Sequence, residues 1–146
     1  MAVATHVSRV AKEYAPFGYS VMEDVTYVLT DSVAPAEGTE ILGYVDDADI
    51  YVESAQLFVT SGAATGGADT AGITIQYADN DGSLTNTTDI STELQSGLMG
   101  NNTANNLTIT NPIIPSQKLV LVEWDNETGT AAPTGMVLKL RIRRKA

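Results

Sequence analysis

Five aspartates form two short clusters in which metal-binding chemistry could lie: Asp46, Asp47, Asp49, Asp79 and Asp81. Carboxylate oxygens are the ligands that Ca²⁺ prefers in proteins. An EF-hand loop with Gly82 as its fixed glycine would begin at Tyr77 and end at Thr88, and neither residue is an acidic ligand. Closely spaced aspartates between strands usually form turns. The sequence therefore predicts neither a metal site nor a cofactor.

The sequence contains few of the side chains that nucleophilic catalysis uses. There is no cysteine, which excludes disulfides, thiol catalysis and Cys-ligated metals. The single histidine is His6, so a His-dependent triad or a His-clustered metal site would depend on that residue alone. A pair of carboxylates facing each other across a cleft, as in a glycosidase, stays open as an alternative. We expect a protein that is not an enzyme.

The charges are unevenly distributed along the chain. The formal net charge is −10, and no Lys or Arg lies between Lys12 and Lys118. An acidic body repels a phosphate backbone, so we expect no nucleic-acid partner. Two interpretations of the C-terminal basic cluster stay open: the solvated face of an edge strand, where cations block unwanted pairing, or an interface with an acidic surface. The cluster comprises Lys139, Arg141, Arg143, Arg144 and Lys145.

Residues 1–18 are predicted to form a short N-terminal arm or helix. Val3, Val7, Val10 and Tyr14 recur at helical spacing, and the sequence from residue 15 to Gly18 contains a proline and breaks the pattern. This segment either packs on the domain or becomes ordered on a partner. The N-terminus lacks a signal-peptide layout, and no apolar run approaches the ~20 residues of a membrane span. We expect a soluble protein, synthesised in a host cytoplasm, without a membrane partner.

From residue 19 the hydrophobic pattern changes to period two, which is typical of strands. A bulge is expected near Glu53, one short helical turn near Leu98, and burial on both faces for the strand that ends at Trp124. We predict an all-β domain over residues 19–146, a two-sheet antiparallel β-sandwich of jelly-roll type. The expected strands cover residues 19–30, 40–45, 50–60, 73–78, 106–111, 118–124 and 136–144.

The order and texture of these segments resemble a known family. A strand in Gly38-Thr-Glu-Ile-Leu-Gly-Tyr-Val precedes a long strand and a Gly/Ala/Thr loop, and Ile73-Thr-Ile-Gln-Tyr then leads to an aspartate-rich turn. The chain continues through Lys118-Leu-Val-Leu-Val to Thr130-Ala-Ala-Pro-Thr-Gly before its alternating last strand. Over residues 38–144 the chain resembles the jelly-roll capsid decoration, or cement, proteins of tailed bacteriophages.

This resemblance implies a structural virion protein on the capsid exterior that stabilises the shell by bridging neighbouring subunits. Its implied partners are the major capsid protein and further copies of itself, commonly as trimers. The alternative is a glycan- or receptor-binding module of a phage head or tail fibre, for which exposed aromatic side chains would be needed. The candidate partner-contact residues are Val3, Val7, Arg9, Val10 and Lys12 in the arm, and Lys139, Arg141, Arg143 and Arg144 in the last strand.

Overall fold

The computed structural model describes residues 22–29, 38–61, 72–125 and 133–145. The predicted arm at residues 1–18 lies outside these ranges. Ten strands occur in the described residues: β1 (Glu23–Val28), β2 (Gly38–Tyr44), β3 (Ile50–Phe58), β4 (Gly72–Asp79), β5 (Thr87–Asp89), β6 (Leu94–Gln95), β7 (Asn105–Leu107), β8 (Ile113–Ile114), β9 (Lys118–Asp125) and β10 (Val137–Arg144).

The strands form two antiparallel sheets. The first sheet has the order β1-β10-β3-β7, with β8 also pairing with β3. The second sheet has the order β2-β9-β4-β5, with β6 also pairing with β4. The chain passes back and forth between the sheets, so that β1 and β3 lie in one and β2 and β4 in the other. This is the connectivity of a jelly roll, and the predicted fold is confirmed.

Alternating side chains of both sheets build one core. In β10, Leu138, Leu140 and Ile142 are buried in it, while Lys139 and Arg141 lie on the opposite face, as the sequence pattern predicts. From the second sheet the core receives Ile73, Ile75, Val120, Val122 and Trp124. The indole of Trp124 is only 1% exposed. Its predicted packing role is confirmed, because a ring so enclosed cannot serve as an exposed stacking surface.

β10 is an interior strand, which overturns the interpretation of its basic face as that of an edge strand. It pairs with β1 on one side and with β3 on the other. The β3–β10 register shifts between Arg141 and Ile142, so Glu53 has no opposite residue. A bulge is therefore present where the sequence predicted one. The cations of β10 face neighbouring strands on both sides, and protection of an exposed edge is not their role.

The predicted strand 106–111 is shorter than expected. Only Asn105–Leu107 pairs regularly with β3. The backbone then turns so that the amides of Thr110 and Asn111 both donate to the carbonyl of Ile90. The predicted helical turn is a single 3-10 turn at Ser96–Leu98, which exposes Leu98 and is followed by the buried Met99.

The amide of Asn105 holds the loop that precedes β7. Its Nδ2 donates to the carbonyls of Leu57 at 3.1 Å and of Gly100 at 3.0 Å. Its Oδ1 accepts from the Gly100 amide at 2.7 Å. Asn105 is buried, so these bonds satisfy polar groups that water cannot reach. The side chain thus fastens the Gly100 loop to β3.

The two sheets differ on their outer faces, the faces turned away from the core. On the outer face of the first sheet, Tyr51, Gln56 and Phe58 are half-buried and Arg141 is exposed. On the outer face of the second sheet, the central residues are all buried: Thr74 is 8% exposed, Gln76 5%, Ala78 0% and Leu121 0%. The expectation that the strand ending at Trp124 is covered on both faces is confirmed.

Candidate interaction surface

The basic side chains of β10 form ion pairs within the chain. Asp24 of β1 lies opposite Arg141 in the β1–β10 register. The Nε of Arg141 donates to Asp24 Oδ1 at 3.0 Å, and the Nζ of Lys139 lies 3.7 Å from Asp24 Oδ2. Arg143 forms an ion pair with Glu53, the residue of the β3 bulge that has no register partner on β10. The bulge and the basic cluster therefore form one structural unit.

The end of β10 continues the same arrangement. Arg144 Nε donates to Glu23 Oε1 at 2.6 Å, and Lys145 Nζ lies 4.0 Å from Asp49 Oδ2. The predicted contact residues Lys139, Arg141, Arg143 and Arg144 are thus adjacent on one strand and already have carboxylate partners. Their contact with another protein stays a prediction. Val3, Val7, Arg9, Val10 and Lys12 lie outside the described residues.

Titration of the exposed pairs follows from their hydrogen bonds. The hydrogen bond from Arg141 lowers the pKa of Asp24 below its model-compound value of 3.8, and the same bond raises the pKa of Arg141. A hydrogen bond to Asp79 raises the pKa of Lys118. Burial raises the pKa of Tyr27, which lies between the sheets. These shifts keep the ion pairs charged around neutral pH and Tyr27 protonated.

Charge is divided unequally between the sheets. The strands of the first sheet carry four cations and three carboxylates, whereas those of the second carry one cation and five carboxylates. The one cation in the second sheet, Lys118, pairs with Asp79. Of the two sheets, the second therefore carries the acidic surplus. Its carboxylates are Glu40, Asp79, Asp89, Glu123 and Asp125.

The acidic clusters have structural partners. Asp49 Oδ1 accepts a hydrogen bond from the Ser116 amide at 2.9 Å, and Asp81 Oδ1 accepts one from the Ser83 amide at 2.9 Å. Within the described ranges, no three His, Cys, Asp or Glu side chains converge as metal ligands would. These aspartates thus order the loops in which they lie.

One cavity opens at the end of the second sheet. It has a volume of about 350 Å³, and its described lining residues are Gly38, Thr39, Glu123, Trp124 and Asp125. The Trp124 Nε1 is buried without a hydrogen-bond partner in the structure. These five lining residues offer two carboxylates and no cation.

No described helix has the length and apolarity to cross a membrane.

Four exposed apolar side chains lie in or beside the neighbouring strands β1 and β2. Val28 shares the outer face of the first sheet with Asp24, and Ile41 and Tyr44, which lie opposite Leu121 and Leu119, are on the outer face of the second. Among the described strands, β1 and β2 are each the terminal strand of their sheet. A Cβ built on Gly43 would lie 4.0 Å from the Tyr27 hydroxyl oxygen, so the two strands face each other. We call this surface the β1–β2 side. Its exposed apolar residues are Met22 at 47%, Val28 at 79%, Ile41 at 53% and Tyr44 at 45%.

The sequence did not single out these residues. The register of β2 against β9 shifts between Ile41 and Gly43. Because the strand bulges there, the alternation of inward and outward side chains changes phase within seven residues. The signal available in the sequence was Gly43, since a glycine inside a strand pattern often marks a bulge or a close approach.

Two solved structures are similar to this chain. One is of infectious bursal disease virus, Gt strain, with 18% identity and a TM-score of 0.34, covering 86% of this chain and 30% of that chain. The other is of infectious bursal disease virus, Gx strain, with 12% identity and a TM-score of 0.35, covering 86% of this chain and 36% of that chain. No family model and no curated protein matches. The strand order alone defines the class of the molecule, a jelly-roll β-sandwich.

Proposed function

We propose that this protein is a structural component of a virion. It binds the outer surface of an icosahedral phage capsid and bridges neighbouring shell subunits, without catalysing a reaction. The observation that supports this most strongly is the β1–β2 side, where two terminal strands expose four large apolar side chains. Exposed apolar groups beside strand edges are typical of surfaces that contact other proteins.

The strand edges of this side offer a defined mode of contact. In the described residues, β1 pairs with β10 and β2 pairs with β9, each along one edge. An extended segment of a shell subunit could add to either edge through backbone hydrogen bonds. Many such contacts around a shell reinforce one another, because binding at one position raises the effective concentration at the next.

Charge disfavours a contact between the second sheets of two copies. All six cations in the described residues are paired within the chain, while the second sheet retains an acidic surplus. Two such acidic faces repel each other. We therefore place the shell protein at the β1–β2 side, and we expect self-association into trimers to keep the second sheets of neighbouring copies apart.

The glycan-binding alternative has less support. Such a module needs exposed aromatic rings as a stacking surface. Among the described aromatic residues, Trp124 is buried and Tyr44 is 45% exposed, and the others are half-buried: Tyr27, Tyr51, Phe58 and Tyr77. One exposed tyrosine does not make a platform.

Particles of the encoding virus provide the test. Stripped particles are mixed with purified protein, sedimented and imaged by cryo-electron microscopy. We expect regular density on the shell exterior for the intact protein, and at least a tenfold loss of affinity for the double variant Ile41→Ser/Tyr44→Ser. The matched control Leu84→Ser/Leu98→Ser changes two exposed apolar residues elsewhere and should bind normally. Absence of the protein from the particle exterior would overturn the proposal.

A further inference from the structure

The outer face of the second sheet is covered, although none of the described strands is placed over it. Ala78 and Leu121 are fully buried there, and Thr74 and Gln76 nearly so. The main contacts of β4 and β9 among described elements are with each other and with β2, β5 and β6, all of the same sheet. A comparable face on the first sheet has exposed and half-buried residues. The cover over Ala78 and Leu121 therefore comes from residues outside the described strands.

The position of Ala78 indicates from which end of the sandwich the covering segment approaches the second sheet. The connections over residues 30–37, 62–71 and 126–132 leave from the end of the sandwich at Gly38, Gly72 and Asp125, which are neighbours in the sheet. Ala78 lies at the opposite end, paired with Leu119. That is also the end at which β1 begins and β10 finishes. The chain N-terminal to β1 therefore joins the sandwich at the end where Ala78 lies.

The chemistry of residues 1–18 suits this face. Their apolar stripe of Val3, Val7, Val10 and Tyr14 matches a surface that includes Ala78 and Leu121, and Arg9 and Lys12 are the two cations that lie outside the described residues. A helix over residues 3–14 would be about 18 Å long. β4 extends about 13 Å from Thr74 to Ala78. The segment is thus long enough to cover all four buried positions.

We propose that residues 1–18 pack on the outer face of the second sheet of their own chain, with the valine stripe over Ala78 and Leu121. Arg9 and Lys12 then lie toward the acidic surplus of that sheet. This inference does not depend on the proposed function. If it holds, the arm resides on its own domain in the isolated protein, and the β1–β2 side and the first sheet remain free for partners.

The absence of cysteine allows a direct test, because any introduced thiol is unique. Ala78→Cys is placed in the full chain, and its rate of reaction with a maleimide is compared with that of Ser54→Cys, an exposed position on the first sheet. We expect Ala78→Cys to react at least a hundredfold more slowly. Adding Val7→Asp and Val10→Asp should accelerate it at least tenfold. Adding Thr5→Asp and Ser8→Asp, which introduce the same charge off the stripe, should leave the rate unchanged.

A second measurement keeps the inference testable if the aspartate variant unfolds. Val7→Cys combined with Ala78→Cys is treated with a short bis-maleimide and analysed by electrophoresis and mass spectrometry. An intrachain product, absent when Val7→Cys is combined with Ser54→Cys, supports packing in the same chain. A product that is only interchain, or none at all, overturns it. An Ala78→Cys rate that the valine substitutions do not change in a folded protein also overturns it.

Discussion

Substituting Leu121 by alanine measures directly whether the outer face of the second sheet is enclosed. Leu121 is 0% exposed, and the substitution removes three carbon atoms. At about 0.8 kcal/mol per buried methylene, the lost transfer free energy is roughly 2.4 kcal/mol. The cavity left behind adds to this, so we expect the free energy of unfolding to fall by about 3 kcal/mol.

Ile41→Ala is the matched control for Leu121→Ala. Ile41 is the register partner of Leu121 on β2, and its side chain is 53% exposed. It loses the same three carbon atoms, but because half of its surface already contacts water we expect a loss of about 1 kcal/mol. Urea unfolding followed by the fluorescence of Trp124, the only tryptophan, gives both values.

The same two variants also test whether residues 1–18 are the segment that covers Leu121. In a chain that carries Val7→Asp and Val10→Asp, the loss caused by Leu121→Ala should fall toward that caused by Ile41→Ala, because its cover is then gone. Equal losses for the two variants in the unmodified chain would refute the claim that Leu121 is enclosed. An unchanged difference in the aspartate background would show that another segment encloses it.

Four further variants test other parts of the structure. Gly135→Ala, at a φ of +63° against the Thr60 side chain, should destabilise by about 2 kcal/mol in urea unfolding, and Gly82→Ala, at +82° in open space, by about 1 kcal/mol. Asn105→Ala should destabilise by about 2 kcal/mol, because its removal leaves buried backbone groups unpaired. Asp24→Asn should lower Tm at neutral pH, and this difference should vanish on acidification. The pKa of the Asp24 carboxylate is lowered in the folded protein, so its stabilising effect is present above pH 3.8 and is lost as the pH falls through the folded-state pKa.

Each of these expectations has a contrary result. Equal destabilisation by the two glycine variants would mean that Thr60 yields to the new methyl group. A loss below about 0.5 kcal/mol for Asn105→Ala would mean that water replaces its hydrogen bonds. A constant Tm difference for Asp24→Asn between pH 2 and pH 7 would mean that the contact with Arg141 does not stabilise through charge.

The long strands could be predicted from the sequence because the pattern of apolar and polar residues within each strand indicates which of its faces are buried. In β10, three inward apolar residues alternate with three outward cations, so both its type and its orientation follow from period two alone. β9 likewise shows in its continuous apolar run that both of its faces are covered. The jelly-roll class then follows from many strands that have no helices between them.

What the sequence could not supply is pairing between distant segments. The neighbours of β10 are β1 and β3, and nothing within β10 specifies them, so from the sequence an edge strand stays open as one of two interpretations of its basic face. β5, β6 and β8 have two or three residues each and are too short to show a period. The β1–β2 side forms where the edges of β1 and β2 face each other and where β2 bulges. Both features arise only in the assembled sandwich.

The interior position of β10 has a consequence for how the molecule folds. β1 and β3 do not touch as sheet neighbours, because β10, the last of the described strands in chain order, lies between them. The first sheet therefore cannot close until β10 has been synthesised, and its formation must wait for contacts that span more than a hundred residues, a topology that folds slowly. Until then β1 and β3 present unsatisfied edges, so removal of the C-terminal strand should convert the protein into an aggregating species.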